Sequence, residues 1–165
     1  MKRIQLRPVI GGSFNPEMGN VCEDLAQSMA GELEYYRPRG FSKLARELRR
    51  DAAICERSAN DDADASQRIS EAVDEACDLL TEWARRVEQH GYISFACEGD
   101  FAGFRIDVDR ALEDADFILD DTKRGASPEM PRGFSGLYLH ISDHGNVSAY
   151  RYSRGRKTRE LFAVV

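Results

Sequence analysis

The 165-residue sequence lacks a run of about 18 apolar residues, so it contains no segment that could serve as a transmembrane helix. The basic start Met1–Arg7 is not followed by the apolar stretch of about 7 to 15 residues that a secretory signal needs. These two absences exclude the usual routes to a membrane. We therefore predict a cytoplasmic protein with no membrane partner.

Cysteine motifs are also missing. Cys22, Cys55, Cys77 and Cys97 are widely spaced, with no CxxC pair and no cysteine–histidine spacing typical of zinc. We interpret all four as free thiols. Cys55 and Cys77 fall on the apolar faces of predicted helices, where cysteine behaves as a small hydrophobic residue. No metal site and no cofactor are predicted.

Basic residues are scarce in the middle of the chain. Residues 59–121 carry 5 basic and 18 acidic groups, whereas residues 122–165 carry 8 basic and 3 acidic groups. The net charge of −6 is therefore unevenly distributed. Because an acidic segment repels nucleic acid and a basic one attracts it, the two regions favour different partners.

Apolar residues at helical spacing predict three successive helices in the first half of the chain. The first covers about 21–36, and the second starts at Phe41 with a basic outer face. The third follows the acidic segment Asn60–Asp64, which suits a helix N-terminus, and is stopped by Gly91. Its continuous apolar seam predicts that Leu80 and Trp83 are buried.

Beyond Gly91 the apolar period changes from 3.6 to 2, which indicates strands. Strands are predicted near 93–97, 104–108, 137–142, 147–152 and 160–165, with a hairpin turn at 98–100 and a mobile loop over 122–135. Residues 109–121 fit a short helix, although the run Phe117–Leu119 at its end leaves the type of element open. We therefore predict an α+β fold in a single domain, residues 1–165. Three N-terminal helices (helical part about 20–90) pack on an antiparallel β-meander of at least four strands (mainly β part about 92–165).

The stretch Ile10–Asn20, IGGSFNPEMGN, resembles the GGSFNPPHxGH opening of the nicotinate-nucleotide and related adenylyltransferases. That resemblance implies a nucleotidyltransferase with an alternating β/α fold, in which two histidines contact the nucleotide phosphates. Met18 and Asn20 stand at the histidine positions, and neither supplies a cationic donor. We interpret Gly11 and Gly12 as a turn and Asn20 as a helix cap.

Two further clusters have the composition of metal sites. His140, Asp143 and His144 could supply two nitrogen ligands and one oxygen, but one lies on a predicted strand and the others in a turn. An acidic cluster starts at Asp107. A Ca²⁺-binding loop that began at this residue would need a glycine near its sixth position, and Leu112 stands there instead. We interpret both clusters as surface features.

Two charged surfaces are candidate binding sites, and no catalytic residue is predicted. The acidic one combines the outer face of the third helix with the start of the next helix: Glu71, Glu75, Asp78, Glu82, Asp107 and Asp109. It would bind a host protein with a basic surface. The basic one is a C-terminal ribbon interleaved with Tyr150 and Tyr152: Arg151, Arg154, Arg156, Lys157 and Arg159. It would bind nucleic acid, although a charged hairpin tip also protects a strand edge from aggregation.

The stretch Gly136–Tyr150, GLYLHISDHGNVSAY, resembles a terminal hairpin of short uncharacterised proteins encoded by bacteriophages and prophages. Small phage proteins often bind host proteins, including CRISPR and other defence complexes. The resemblance therefore implies a binding protein rather than an enzyme. We expect a non-enzymatic protein that engages a basic host protein through its acidic surface. Nucleic-acid binding through the C-terminal ribbon is the second candidate, and a nucleotidyltransferase-like enzyme is the third.

Overall fold

The computed structural model describes residues 21–57, 63–98, 101–123 and 128–164. The Gly-rich stretch Ile10–Asn20 lies outside these ranges, as do Gly99 and Asp100 of the expected hairpin turn. The interpretations of both segments stay predictions.

The described residues form helices and strands in the order that the sequence predicts, with one exception discussed below. They are α1 (Val21–Tyr36), α2 (Phe41–Arg57), α3 (Ala63–Glu88), β1 (Ile93–Glu98), β2 (Phe101–Ile106), α4 (Val108–Glu113), β3 (Phe117–Asp120), β4 (Gly136–Ile141), β5 (Val147–Ser153) and β6 (Arg156–Val164). This order confirms the α+β class.

The chain divides into two compact units. The first contains α1, α2, α3, β1 and most of β2; the second contains residues 90–92 and everything from Ile106 onward. The four-stranded sheet and α4 therefore belong to the second unit. The single-domain organisation stays a prediction.

The turn between α1 and α2 contains the contacts that end the first helix and start the second. Arg37 adopts a φ of 51°, and its N–H donates to the Leu33 carbonyl at 2.9 Å, which closes the last turn of α1. Gly40 follows with a φ of 91°. The N–H of Phe41 then donates to the Pro38 carbonyl at 3.1 Å, so the chain reverses into α2 within a few residues.

The seam of α3 forms part of the core of the first unit. Leu80 is fully buried, as predicted. Trp83, which the sequence predicts to be buried, is only half-buried; it lies in an aromatic cluster, where its ring centroid is 4.7 Å from that of Tyr36 and 6.1 Å from that of Phe104. Phe104 also packs edge-on against Phe95, with centroids 4.9 Å apart. The aromatic residues thus join α1, α3 and the β1–β2 sheet.

Helix α3 also runs along one edge of β1. The Phe95 N–H donates to Thr81 Oγ1 at 2.8 Å, and the Thr81 hydroxyl is 3.5 Å from the Phe95 carbonyl oxygen. One helical turn later, Arg85 Nε donates to the Ile93 carbonyl at 3.1 Å. Because β1 pairs with β2 in a two-stranded sheet, these side chains satisfy backbone groups on its other edge.

The sheet of the second unit has the order β3-β4-β5-β6. Strands β4, β5 and β6 are antiparallel and form a meander of three strands rather than the expected four or more, because β1 and β2 pair in a separate sheet. Strand β3 pairs with β4 in parallel, in the register Phe117↔Tyr138. The long connection between Asp120 and Gly136 permits this arrangement, since a parallel pair needs a crossover of about a dozen residues or more.

Strand β3 corrects the expected helix over 109–121. The helix α4 is short: Asp107 caps its start by accepting the Arg110 N–H at 3.0 Å, and it ends at Glu113. The apolar run Phe117–Leu119 then forms a strand. Its aromatic and β-branched residues suit a pleated surface, and β4 supplies the neighbour that makes a strand possible.

One face of the four-stranded sheet covers the core of the second unit. Its buried residues are Tyr92, Ala111, Leu137, Leu139, Ala149 and Phe162. Because successive side chains of a strand point to opposite faces, the residues between them point away from this core. In β4 those residues are Tyr138 and His140.

None of the helices in the described parts of the chain combines the length and the apolar character that crossing a membrane requires.

Candidate nucleic-acid interface

Aromatic side chains occupy the sheet face that points away from the core. Tyr138 on β4 lies opposite Phe117 on β3 and Tyr150 on β5. Strand neighbours in register share a face, so all three rings lie on the same side. We call the full set the aromatic face: Phe117, Phe134, Tyr138, Tyr150 and Tyr152.

The rings of the aromatic face form one connected cluster centred on Tyr138. Phe117 stacks on Tyr138 with a centroid distance of 5.7 Å and an interplanar angle of 10°. The Tyr152 and Tyr150 centroids lie 5.3 Å and 6.0 Å from that of Tyr138. Phe134 closes the cluster at 5.9 Å from Phe117 and 6.0 Å from Tyr152. All five rings are half-buried, so each keeps some surface in solvent.

Phe134 comes from a connection rather than from a strand, and backbone contacts hold it in place. The Gly155 N–H donates to the Phe134 carbonyl at 2.8 Å. Its neighbour Arg154 donates its own N–H to Ser135 Oγ, also at 2.8 Å. The turn between β5 and β6 therefore binds the segment that precedes β4 through these two hydrogen bonds. This contact places the Phe134 ring on the aromatic face.

Basic residues surround this end of the aromatic face. Four exposed cations lie on the β5–β6 turn, on the first residues of β6 and on the segment that precedes β4. We call this set the basic tip: Arg132, Arg154, Arg156 and Lys157. Lys157 Nζ lies 3.5 Å from the centroid of the Tyr150 ring and 3.8 Å from Glu160 Oε2. Positive charge thus reaches the aromatic surface itself.

The opposite end of the aromatic face is acidic. His140 Nε2 lies 2.7 Å from Asp121 Oδ2, and Lys123 Nζ lies 3.0 Å from Asp120 Oδ2. His144 is exposed in the turn, where it lies 3.8 Å from Asp143. The residues of the H-x-x-D-H motif therefore have separate neighbours. Within the described ranges no group of three or more potential ligands converges on a metal position.

The environment of Tyr138 disfavours ionisation of its hydroxyl. Burial raises the pKa of Tyr138 above its usual value, and the neighbouring Tyr152, Asp121 and Tyr150 raise it further. A neutral phenol in this position can donate a hydrogen bond while its ring presents a face for stacking.

The five basic residues that the sequence grouped into one ribbon divide between the two sides of the sheet. Arg151 pairs in register with the buried Leu137 and with Arg159, so these two arginines lie on the core side, at its rim. Lys157 lies on the aromatic face, and Arg154 and Arg156 lie at the turn. Lys157 contacts a ring of the aromatic face, whereas Arg154 and Arg156 lie at the turn that follows Tyr152.

The acidic residues of α3 are exposed, as their spacing implies. Glu82 pairs with Arg86 at 2.9 Å, and Glu71 accepts a hydrogen bond from Gln67 at 3.1 Å. Among the residues that the structure describes, Glu75 and Asp78 form no ion pair. The helix therefore presents a negative face with little internal compensation.

Asp107 and Asp109 belong to the second unit, at the start of α4. The Asp107 carboxylate caps the helix, and Asp109 is exposed in its first turn, where negative charge is favourable. Both residues thus have a local structural role, and their part in a partner surface stays a prediction.

Phe117, Phe134 and Tyr138 were not identified as site residues from the sequence. Tyr138 could have been found, since alternation in β4 places it opposite the apolar residues Leu137 and Leu139. The sequence leaves the type of element open at Phe117, and it places Phe134 in a loop with no expected contact. No sequence pattern predicts the hydrogen bond between the Gly155 N–H and the Phe134 carbonyl.

Comparison with known proteins gives no match: no family model, no curated protein and no solved structure is similar to this chain.

Proposed function

We propose that the protein binds single-stranded nucleic acid, with bases stacked on the aromatic face and phosphates held by the basic tip. The observation that supports this proposal is the continuity of the two features. Phe134 and Tyr152 adjoin the turn that carries Arg154, and Lys157 lies directly over Tyr150. Stacking surfaces beside cations are the combination that single strands need.

The charge distribution favours one orientation of the ligand. Phosphates lie at the basic tip, away from Asp120 and Asp121 at the other end, because carboxylates repel them. The bases then extend across Tyr152 and Tyr138. The His140–Asp121 pair offers hydrogen-bonding groups to a base edge or a sugar hydroxyl that reaches the acidic end.

A single strand is favoured over a duplex because the rings of the aromatic face are half-buried and keep part of their surface in solvent. Unpaired bases expose faces that can stack on Tyr138 and Tyr152, whereas the bases of a duplex are already stacked on each other. The basic tip has four cations, enough for a few phosphates. We therefore expect a short site whose affinity depends strongly on salt.

The test uses fluorescence anisotropy of a labelled single-stranded oligonucleotide at low salt. Tyr138→Leu and Tyr152→Leu keep apolar bulk but remove the ring. Each should lose about 1–3 kcal/mol of binding, or about 5- to 150-fold in affinity. Tyr35→Leu removes an aromatic ring that is 78% exposed on α1, and should leave binding unchanged. A matched duplex should bind far more weakly.

The basic tip is tested through the salt dependence of the same binding. Arg154→Gln with Arg156→Gln should reduce the slope of log affinity against log salt by about 0.7 for each phosphate that the variant no longer neutralises. Lys43→Gln with Arg46→Gln, two exposed residues of α2, serves as the control. Equal affinity of the leucine variants and the wild type would exclude stacking. Absence of binding at low salt would exclude the function.

The acidic face of α3 supports a second candidate function, the binding of a basic protein, which is the first expectation from the sequence. We propose that Glu71, Glu75, Asp78 and Glu82 bind a basic protein, of the kind that handles nucleic acid in a host attacked by phage. Their exposure and sparse pairing favour it. Replacing all four residues by lysine should leave the melting midpoint unchanged and abolish capture of a purified basic partner. Retained capture would exclude this face.

A further inference from the structure

Two cysteines lie at equivalent positions on neighbouring elements of the first unit. Helix α3 and strand β1 run side by side in opposite directions, as the contacts Arg85–Ile93 and Thr81–Phe95 define. Going from the first contact to the second moves four residues back along the helix and two residues forward along the strand. We call this regular series of helix–strand contacts the ladder. One further step of the same size leads to Cys77 on the helix and to Cys97 on the strand.

The ladder keeps its register over that step. Four helical residues rise about 6.0 Å, and two strand residues rise about 6.6–6.8 Å, so the mismatch is below 1 Å. The bond of 2.8 Å between Thr81 Oγ1 and the Phe95 N–H holds the two backbones within reach of one short side chain. A disulfide needs a Cα separation of about 4.4–6.8 Å, which is the same reach.

The electrostatic surroundings of the two thiols agree with this placement. Burial raises the pKa of Cys77 to about 12, and Cys97, Asp74 and Asp78 contribute to the same shift. Burial also raises the pKa of Cys97, with a further contribution from Asp74. Both cysteines are partly accessible, whereas Cys55 is buried.

We propose that Cys77 and Cys97 form a site of reversible oxidation, in which a small-molecule disulfide such as oxidised glutathione converts the two thiols into a disulfide that joins α3 to β1. The spacing of the cysteines in the sequence gives no sign of this pair, because it arises from the antiparallel course of a helix and a strand.

The reaction proceeds by two thiol–disulfide exchanges. The Cys97 thiolate attacks one sulfur of oxidised glutathione, the glutathione S–S bond breaks, and one glutathione leaves as a thiolate that takes up a proton. The Cys77 thiolate then attacks the Cys97 sulfur of the mixed disulfide and releases the second glutathione. The protein loses two protons and two electrons, and the oxidised glutathione gains them. Cys97 attacks first because the pKa of Cys77 is about 12.

The raised pKa values set the pH dependence of the reaction. The thiolate is the attacking species, so a thiol with a raised pKa reacts slowly at neutral pH. The rate should keep rising above pH 9, where an ordinary thiol with a pKa of about 8.5 is already mostly ionised. Unfolding the protein removes the burial and should accelerate modification at neutral pH.

The experiment treats the full chain with oxidised glutathione and analyses it by mass spectrometry after non-reducing digestion. We expect a linked peptide pair that contains Cys77 and Cys97, with the loss of two hydrogen atoms. Cys77→Ser should stop at the glutathione adduct of Cys97. Cys97→Ser should give no cross-link, and Cys55→Ala should cross-link as the wild type does.

Thermal unfolding gives an independent measurement. The oxidised protein should melt at least about 5 °C higher than the reduced protein, because the cross-link restricts the unfolded chain. This shift should be absent in Cys77→Ser and in Cys97→Ser, which remain folded when reduced. A persistent glutathione adduct in the folded wild type, or a cross-link to another cysteine, would overturn the proposal.

Discussion

Asp116 brackets Leu137 with two hydrogen bonds: its N–H donates to the Leu137 carbonyl at 3.0 Å, and its carboxylate accepts the Leu137 N–H at 2.7 Å. These bonds join the residue before β3 to the start of β4, and so begin the parallel pairing. They also place the Asp116 side chain directly over Gly136. That glycine has a φ of 149°, which other residues rarely adopt.

Replacing Gly136 by alanine should destabilise the second unit. The new Cβ would lie 2.8 Å from Asp116 Cγ and 2.9 Å from Asp116 Cβ, which forces the aspartate away from Leu137. We expect a loss of about 1–3 kcal/mol in the free energy of unfolding, measured by urea denaturation. Gly31→Ala, in the interior of α1 with no atom near the new Cβ, should instead gain about 0.5–1 kcal/mol. Similar effects at both positions would contradict this account.

The buried carboxylate of Asp51 depends on two exposed arginines. Arg50 binds both of its oxygens, at 3.0 and 3.1 Å, and Arg68 from α3 lies 3.5 Å away. Either arginine alone leaves the carboxylate paired, whereas their joint removal leaves a buried charge. The loss of stability in the Arg50→Ala and Arg68→Ala double variant should therefore exceed the sum of the two single losses.

A double-mutant cycle measured by urea unfolding checks this coupling. The exposed pair of changes Lys43→Ala and Arg46→Ala, on the outer side of α2, should give additive effects close to zero. Additivity at Asp51 as well would show that its pairing does not link α2 to α3.

Leu80 should be the most sensitive position on α3. Its side chain is fully buried, so Leu80→Ala removes apolar contacts and leaves a cavity, at a cost of about 2–5 kcal/mol. Ile118 is 37% exposed, and Ile118→Ala should cost less than about 1.5 kcal/mol. Thermal melting followed by circular dichroism measures both. An unchanged midpoint in the Leu80 variant would show that the seam faces solvent.

Two glutamates of α1 should change stability in opposite directions. Burial raises the pKa of Glu32, so the folded protein holds this proton more tightly than the unfolded chain does. Its contribution to stability is therefore greatest at low pH and falls as the pH rises through the raised pKa. Glu32→Gln removes that penalty, and should stabilise the protein at pH 7 but not below pH 4.

Glu34 provides the matched comparison. Its hydrogen bond with Arg49 lowers the pKa of Glu34, so its stabilisation exists at neutral pH and is lost as the pH falls through the lowered pKa. Glu34→Gln should therefore destabilise slightly at pH 7. Urea unfolding at pH 4 and pH 7 measures both variants, and effects of the same sign would refute the assignment.

The three long helices could be predicted from the sequence because each has its own apolar period and its own stop signal. The start and end of α1, at Val21 and Tyr36, agree with the prediction. Strand β3 could not be predicted, since the run Phe117–Leu119 is too short to distinguish a strand from a buried helix end. Its identity depends on β4, which lies far along the chain.

The candidate site shows the same limit. The cations and tyrosines of the C-terminal ribbon are visible in the sequence, and alternation along a strand predicts that they separate. Two bulges in the β5–β6 pairing, between Ala149 and Tyr150 and between Arg151 and Tyr152, then decide which side chains meet. Phe134 joins the aromatic face because the β5–β6 turn forms hydrogen bonds with the segment that precedes β4. These residues are far apart in the sequence, so no local pattern predicts the contact.

The hydroxyl of Thr81 does for β1 what a third strand would do, since it engages both the N–H and the carbonyl of Phe95. The amide hydrogen of Phe95 is consequently shielded by a helix, and it can exchange with solvent only when α3 moves away. Hydrogen exchange at this amide should therefore proceed at the rate of the α3 amides rather than at that of an isolated hairpin. The small sheet and the long helix would then open as one cooperative unit.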